Sequence, residues 1–206
     1  MLQADLIRDT NVVYITGKVK EHPTLVYNQH GYDIYESCLE VPRLSGTIDM
    51  IPIISTLDVI GWLKVGDRVT IDGSLLHRGK VKYPNTERRL VVYVNSARIA
   101  LPSWQNENSV TLTGHLCRAP QFRKTPKGSD ICELLIAVAN GNGSQEYCFC
   151  VTFGATARYA SVLKIGAFVN VAGRFQSRDY RKQLTDGNAI TKTAYEIALY
   201  SLRTKL

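Results

Sequence analysis

The residues best suited to chemistry in this chain are one aromatic ring and three cations that share a polar hairpin. Tyr180 lies among Arg178, Arg181 and Lys182, within the stretch 177–188. Three neighbouring cations disfavour a core position for the ring. They favour contact with a flat, negatively charged ligand, by stacking and ion pairing. We therefore interpret this hairpin as a binding site for such a ligand.

A second basic hairpin lies in the first half of the chain and contains Arg78, Lys80, Lys82, Arg88 and Arg89. Its charges fit either a ligand groove or a solvated loop, and the sequence leaves both open. The net charge is +7, of which residues 1–103 carry +1 and residues 104–206 carry +6. Such an excess favours a polyanionic partner, most often nucleic acid, with its main contacts on the second half.

The other reactive side chains do not form a recognisable catalytic set. The five cysteines are odd in number and lack framework spacing, which is typical of free thiols in a reducing compartment. Cys148 and Cys150 alternate along one strand, so they do not have the two-residue spacing of a structural zinc loop. We find no nucleophile triad, no phosphate loop and no paired carboxylates on the predicted strands. We expect a binding protein without metal or cofactor, and not an enzyme.

The chain carries no recognisable membrane or export signal. No apolar run approaches the roughly 18 residues that a spanning helix needs. The first residues lack the basic start and apolar stretch of a signal peptide. We therefore expect a cytoplasmic protein with no membrane partner.

An internal repeat shows which elements must position these residues. Leu-Lys-Val-Gly at 63–66 recurs as Leu-Lys-Ile-Gly at 163–166, and each copy is followed by alternating apolar residues. Val69 and Ile71 share one face of a predicted strand with Gly73, and the same pattern returns one hundred residues later, ending at Gly173. A glycine inside a strand indicates a bulge, a sharp bend or a close backbone approach.

The repeat predicts two similar domains, residues 1–103 and residues 104–206. Each half reads as five strands with one or two helical turns between the third and the fourth. That order is typical of the OB-fold, a five-stranded Greek-key barrel that binds oligonucleotides or oligosaccharides. We predict an all-β protein of two tandem OB-fold barrels. The connector between them is short and contains Pro102, so we expect the halves to pack side by side.

Four motifs of the second half resemble the bacterial single-stranded DNA-binding protein family. They stand in the family's order, namely Asn108–Leu116, the stretch 118–128, the third strand 146–154 and the fourth strand 163–180. The first half is similar more faintly. What the resemblance implies is sequence-tolerant capture of single strands, with rings stacked on bases and cations along the phosphates.

The resemblance also implies which residues bind. Aromatic positions of the family correspond to Tyr147, Phe153 and Tyr180, and its basic positions to Arg123, Lys127, Arg174 and Arg178. The residues alone leave two of these open. Tyr147 faces either solvent or the core, and Phe153, which precedes Gly154, either binds or closes the barrel.

Two departures from the family affect the expected partners. The chain ends on the basic residues 203–206 instead of an acidic tail, so we expect no tail-mediated recruitment of other proteins. Met50 and Thr56 stand where the second half has Tyr147 and Phe153, which indicates that the first half either binds weakly or serves mainly as a pairing partner. By analogy with single-domain relatives, in which four OB domains assemble, we expect a homodimer. The alternatives are an OB-fold adaptor in a replication-restart or plasmid-maintenance complex, and an RNA binder.

Overall fold

The computed structural model describes residues 10–78, 89–139, 144–183 and 188–204, which form an all-β architecture with two short helices. The elements of the first half are β1 (Thr10–Val19), β2 (Thr24–Gln29), β3 (Tyr32–Pro42), β4 (Ile48–Thr56), α1 (Leu57–Ile60), β5 (Arg68–Arg78) and β6 (Arg89–Ile99). Those of the second half are β7 (Asn108–Leu116), β8 (Gln121–Lys124), β9 (Asp130–Ala139), β10 (Gln145–Phe153), α2 (Gly154–Ser161), β11 (Phe168–Gln183) and β12 (Ala189–Thr204). Neither helix is long and apolar enough to cross a membrane, within the residues that the structure describes.

Five strands of each half close into a barrel. In the first half β1 pairs with β5 on one side and with β3 on the other, while β4 meets β6 in parallel. The second half repeats this order with β7, β9, β10, β11 and β12. Each helix lies between the third and fourth barrel strands. The predicted pair of OB-fold barrels is therefore confirmed.

Each half also has a short strand that the sequence did not predict. β2 pairs only with β3, and β8 only with β9, so both are edge strands beside the barrels. Neither contributes a fully buried residue, so the apolar alternation that marks a strand in a sequence is missing. Their backbone pairing defines them instead.

The repeated glycines bend the long strands, as predicted. The register of β11 and β12 shifts between Ala172 and Gly173, and that of β5 and β6 shifts between Asp72 and Gly73. A Cβ on Gly173 would lie 2.5 Å from the Ala198 carbonyl oxygen. Each glycine thus marks a bulge where the neighbouring backbone approaches too closely for any side chain.

A repeated asparagine confirms that the two barrels are built alike. The Asn11 side chain donates to the Leu75 carbonyl oxygen at 2.7 Å and accepts from the Leu75 N–H at 2.8 Å. Asn108 makes the same two bonds with the backbone of Phe175, each at 2.8 Å. Both pairs join the first strand of a barrel to its fourth, at positions that correspond in the sequence repeat.

The barrels are joined by strand pairing and by the connector. β1 and β7 are antiparallel from Thr10–Thr113 to Ile15–Asn108, so one twelve-stranded sheet runs through both halves. Arg68 donates to the carbonyl oxygens of Leu101 and Trp104, each at 2.7 Å, and fixes the connector on the first barrel. The halves pack side by side, as expected. The exact boundary at residue 103 stays a prediction.

Candidate nucleic-acid interface

An outward row of aromatic side chains follows β10. Cys148 and Cys150 point into the barrel and are fully buried, so the residues that alternate with them lie on the opposite face of the strand. On that face Val151 is covered, whereas the rings near both ends of the strand are exposed. Tyr147 is 40% exposed and Phe153 is 49% exposed. Phe149 lies between them and is half-buried. The structure therefore places Tyr147 on the solvent side of the barrel, which the sequence had left open.

The two inward cysteines are unsuited to chemistry. Burial raises the pKa of the Cys148 thiol to about 12, and it also raises the pKa of Cys150 well above its usual value. Nucleophilic or metal-binding thiols need the opposite shift, because the thiolate is the reactive form. Across the described part of the chain, no three His, Cys, Asp or Glu residues gather as metal ligands.

The second cluster of predicted residues lies on a two-stranded arm. β11 and β12 continue beyond the barrel from Ser177 to Gln183 and from Ala189 to Tyr195, and we call this segment the second-half arm. Tyr180 is 38% exposed on it, and the Arg178 guanidinium carbon lies 6.0 Å from the centre of its ring. Arg181 and Lys182 are exposed on the same strand.

The early basic loop lies on the hairpin of β8 and β9. Arg123 is exposed and forms an ion pair with Glu133 at 3.2 Å. Lys127 is exposed in the turn that follows, where Gly128 adopts a positive φ of 82°. Exposed ion pairs contribute little to stability, so Arg123 can exchange Glu133 for a phosphate at small cost.

Arg174 lies instead in an ion cluster between the two halves. Its guanidinium donates to Asp49 at 3.1 Å, and Asp49 is fully buried at the start of β4. Arg43 donates to the same carboxylate at 2.6 and 2.9 Å, and the Ser177 N–H donates at 2.8 Å. The position of Arg174 therefore favours a role in joining the halves.

The basic hairpin of the first half is described only in part. Arg78 and Arg89 both form ion pairs with Glu36 on β3. Burial, followed by the nearby charge of Arg89, lowers the pKa of Arg78 below its usual value. Lys80 and Lys82 lie outside the described residues, so their predicted role stays a prediction.

A groove opens between the two halves beside the second-half arm. We call it the junction groove; its volume is about 630 Å³. Phe149, Tyr180 and Tyr195 line it from the second half, and His77, Arg89 and Leu90 line it from the first. His77 is held by Glu146, which accepts from its backbone N–H at 3.0 Å and lies 3.1 Å from its Nδ1.

Sequence reasoning missed several residues of this surface. Phe149 shares the alternating face of Tyr147, so the pattern of β10 already contained the signal. The Arg118 guanidinium carbon lies 5.0 Å from the centre of the Phe149 ring, a cation–π contact. The groove contacts of Arg89 and Tyr195 depend on how the halves pack, which no local pattern shows.

The described strand of the first half that corresponds to β10 presents no rings at the matching positions. Positions that correspond to Tyr147, Phe149 and Phe153 in the repeat carry Met50, Pro52 and Thr56. The position of Arg118 carries Glu21, so a cation becomes an acid. The two barrels are alike in backbone and differ in the groups they present to a ligand.

Comparisons with known proteins agree with these features. Residues 107–203 match the family model described as Single-strand binding protein family. Single-stranded DNA-binding protein A of Bacillus subtilis is 37% identical over 83 residues, covering 37% of this chain and 48% of that protein. The single-stranded DNA-binding protein of Deinococcus radiodurans is 27% identical over 161 residues, covering 65% of this chain and 53% of that protein. The chain thus spans about half the length of the curated relatives it matches.

The fold of the whole chain is shared with a solved structure. The wild-type single-stranded DNA binding protein of Thermus aquaticus superposes with a TM-score of 0.75 at 20% identity, covering 97% of this chain and 94% of that one. The resemblance seen in the motifs of the second half is confirmed by the family match. The family match covers residues 107–203, slightly under half of the chain.

Proposed function

We propose that this protein binds single-stranded DNA with little sequence preference and protects it during replication, recombination or repair. The observation that carries the proposal is the exposure of three rings, Tyr147, Phe153 and Tyr180, on the basic second half. The family match and the names of the relatives support it. Such binding requires no bond to be made or broken, so the proposal includes neither an enzyme activity nor a cofactor.

Two kinds of contact would hold the strand. Each base offers a flat face, so stacking on a ring tolerates any sequence and contributes about 1–3 kcal/mol per base. Phosphates would pair with the exposed cations Arg123, Lys127, Arg178, Arg181 and Lys182. Their contribution falls with salt, because binding releases the counterions of the strand.

Removing single rings tests the proposal. We expect Tyr147→Ala, Phe153→Ala and Tyr180→Ala each to weaken binding of a labelled oligo-dT strand by about 5- to 150-fold, the equivalent of 1–3 kcal/mol. Tyr32→Ala is the matched control, because this ring is 68% exposed at the first residue of β3 in the first half. If all four variants bind as the wild type does, the rings do not stack on bases. Competition with oligo-U of equal length distinguishes DNA from RNA as the preferred ligand.

The proposal extends to assembly and compartment. We propose domains at 1–103 and 104–206, and a homodimer that presents four OB domains. Val12 and Tyr14 support the dimer, since both are exposed on the β1 face where the two barrels share one sheet. We expect light scattering to give twice the 23.0 kDa chain mass, and Tyr14→Glu to return the monomer. A protein that protects single-stranded DNA in bacteria works in the cytosol, so we include that compartment.

A further inference from the structure

We propose that the junction groove is a nucleotide-binding site built by both halves, in which Arg89 of the first half contacts a phosphate. This inference rests on the proposed binding of single-stranded DNA, and it assigns the first half a direct part in that binding. The first barrel would contribute through the base of its own long hairpin, where β5 ends and β6 begins. Its strand face would contribute nothing comparable.

The shape of the groove fits a short stretch of a flexible polymer. Its volume of about 630 Å³ falls within the range of roughly 300–1,000 Å³ that is typical of ligand sites. Rings of Phe149, Tyr180 and Tyr195 offer surfaces for bases on the second-half side. Phe149 and Tyr180 also connect the groove to the exposed row on β10 and to the second-half arm. A strand bound on that outer surface thus reaches the groove without leaving the protein.

The charges of the groove favour phosphate on the first-half side. Arg89 and Arg78 share the single carboxylate of Glu36, so these three side chains carry one net positive charge. Arg89 keeps 32% of its side chain exposed, whereas Arg78 keeps 14%. The more exposed guanidinium is therefore the one that a ligand can reach. A phosphate there would share Arg89 with Glu36 and with Tyr195, to which Arg89 is also hydrogen-bonded. Arg178 is already close to Glu196, with 3.5 Å between Nε and Oε1.

Comparison of the two barrels explains why the first half would bind here and not on its own strands. Met50, Pro52 and Thr56 replace the ring positions of β10, and Glu21 replaces Arg118. An acid and aliphatic side chains neither stack on bases nor attract phosphates. His77 and Arg89 are the polar groups of the first half that line the groove, beside Leu90, and they meet rings supplied by the second half.

A charge placed in the groove tests whether DNA passes through it. Thr191→Glu adds a carboxylate at an exposed position of the groove lining, on β12 of the second-half arm. We expect it to weaken binding of oligo-dT by about tenfold, because phosphates are repelled there. Thr24→Glu is the matched control, since it makes the same change at an exposed position on β2. It should bind as the wild type does.

Removing Arg89 tests the part played by the first half. For single-stranded nucleic acid, each phosphate contact contributes about −0.7 to the slope of log K against log salt. We expect Arg89→Gln to make that slope less steep by about 0.7, with Glu36 still paired to Arg78. Lys18→Gln removes an exposed charge from β1 of the same half and should leave the slope unchanged. A purely structural role of Arg89 would lower the melting temperature without altering the slope.

The possible results separate this inference from the proposed function. Weaker binding by Thr191→Glu together with a shallower slope for Arg89→Gln supports the shared site. If the wild type binds oligo-dT while both variants match their controls, the strand bypasses the groove, which overturns the inference and leaves the proposed function intact. If the wild type does not bind oligo-dT at all, the proposed function fails and this inference fails with it.

Discussion

The ion cluster around Asp49 predicts that one buried carboxylate holds the two halves together. Asp49 is fully buried, and it accepts from Arg43 of its own half and from Arg174 and Ser177 of the other half. Asp49→Asn keeps the size of the side chain but removes its charge. The side chains of Arg43 and Arg174 are each about three-quarters buried, and both then lose their shared partner.

The magnitude follows from the burial of the cluster. Removing one partner of a buried ion pair costs about 3–5 kcal/mol, because the remaining charge is left unpaired out of water. For a chain of this size, 1 kcal/mol corresponds to a shift of about 2–4 °C in melting temperature. We therefore expect Asp49→Asn to melt about 6–20 °C below the wild type when circular dichroism is followed against temperature.

A control and a double-mutant cycle separate the junction from general damage. Asp33→Asn changes an exposed aspartate whose neighbour is Asn28, and it should shift stability by no more than about 0.5 kcal/mol. Arg174→Met alone and combined with Asp49→Asn should give a coupling energy of about 0.5–3 kcal/mol, because the two side chains touch. A melting temperature of Asp49→Asn equal to that of Asp33→Asn, or strictly additive effects in the cycle, would refute the reasoning.

Three further predictions concern stability and reactivity. Gly173→Ala should destabilise by about 1–3 kcal/mol in urea unfolding, since its Cβ would meet the Ala198 carbonyl oxygen; an unchanged midpoint would contradict the bulge. Hydrogen bonds from Lys124 and Arg158 lower the pKa of Asp130 below its usual 3.8. The ionised Asp130 therefore stabilises the fold fully above pH 3.8, and this contribution is lost as the pH falls through the lowered pKa. Asp130→Asn should accordingly make the free energy of unfolding fall less steeply as the pH is lowered. A fall as steep as that of the wild type would count against the ion pairs of Asp130 with Lys124 and Arg158. Burial raises the pKa of both Cys117 and Cys38, in the case of Cys38 to about 11, but only Cys117 of the five cysteines is exposed. A thiol reagent should therefore show one faster-reacting thiol that Cys117→Ser removes. Loss of the fast phase on changing Cys148 instead would be incompatible with its burial.

The barrels were predictable from sequence because their signals are local and repeated. Val69 and Ile71 alternate with polar residues up to Gly73, and the second copy repeats the pattern to Gly173. The bulges at both glycines follow from that pattern alone. β2 and β8 were missed because edge strands without a fully buried residue leave no clear alternation to detect.

The candidate site was predictable only where local pattern decides it. The alternation of β10 restricts Tyr147 to one of two faces, and the burial of Cys148 in the structure decides between them. Arg174 is held between the halves by its hydrogen bond to Asp49, which lies 125 residues away in the sequence, in the other half. The junction groove likewise depends on long-range packing, because its lining comes from the β5–β6 pair of the first half and from β10–β12 of the second.

Titration of oligo-dT with the wild-type protein is the decisive test of the proposed binding of single-stranded DNA. Five exposed cations on the second half, Arg123, Lys127, Arg178, Arg181 and Lys182, set the expected slope of log K against log salt at about −3.5, or about −4.2 when Arg89 of the junction groove also contacts a phosphate. We predict that the wild type binds oligo-dT saturably with that slope, and more tightly than it binds a duplex of equal length. Binding to oligo-dT that is no tighter than binding to the duplex, even at low salt, would contradict it.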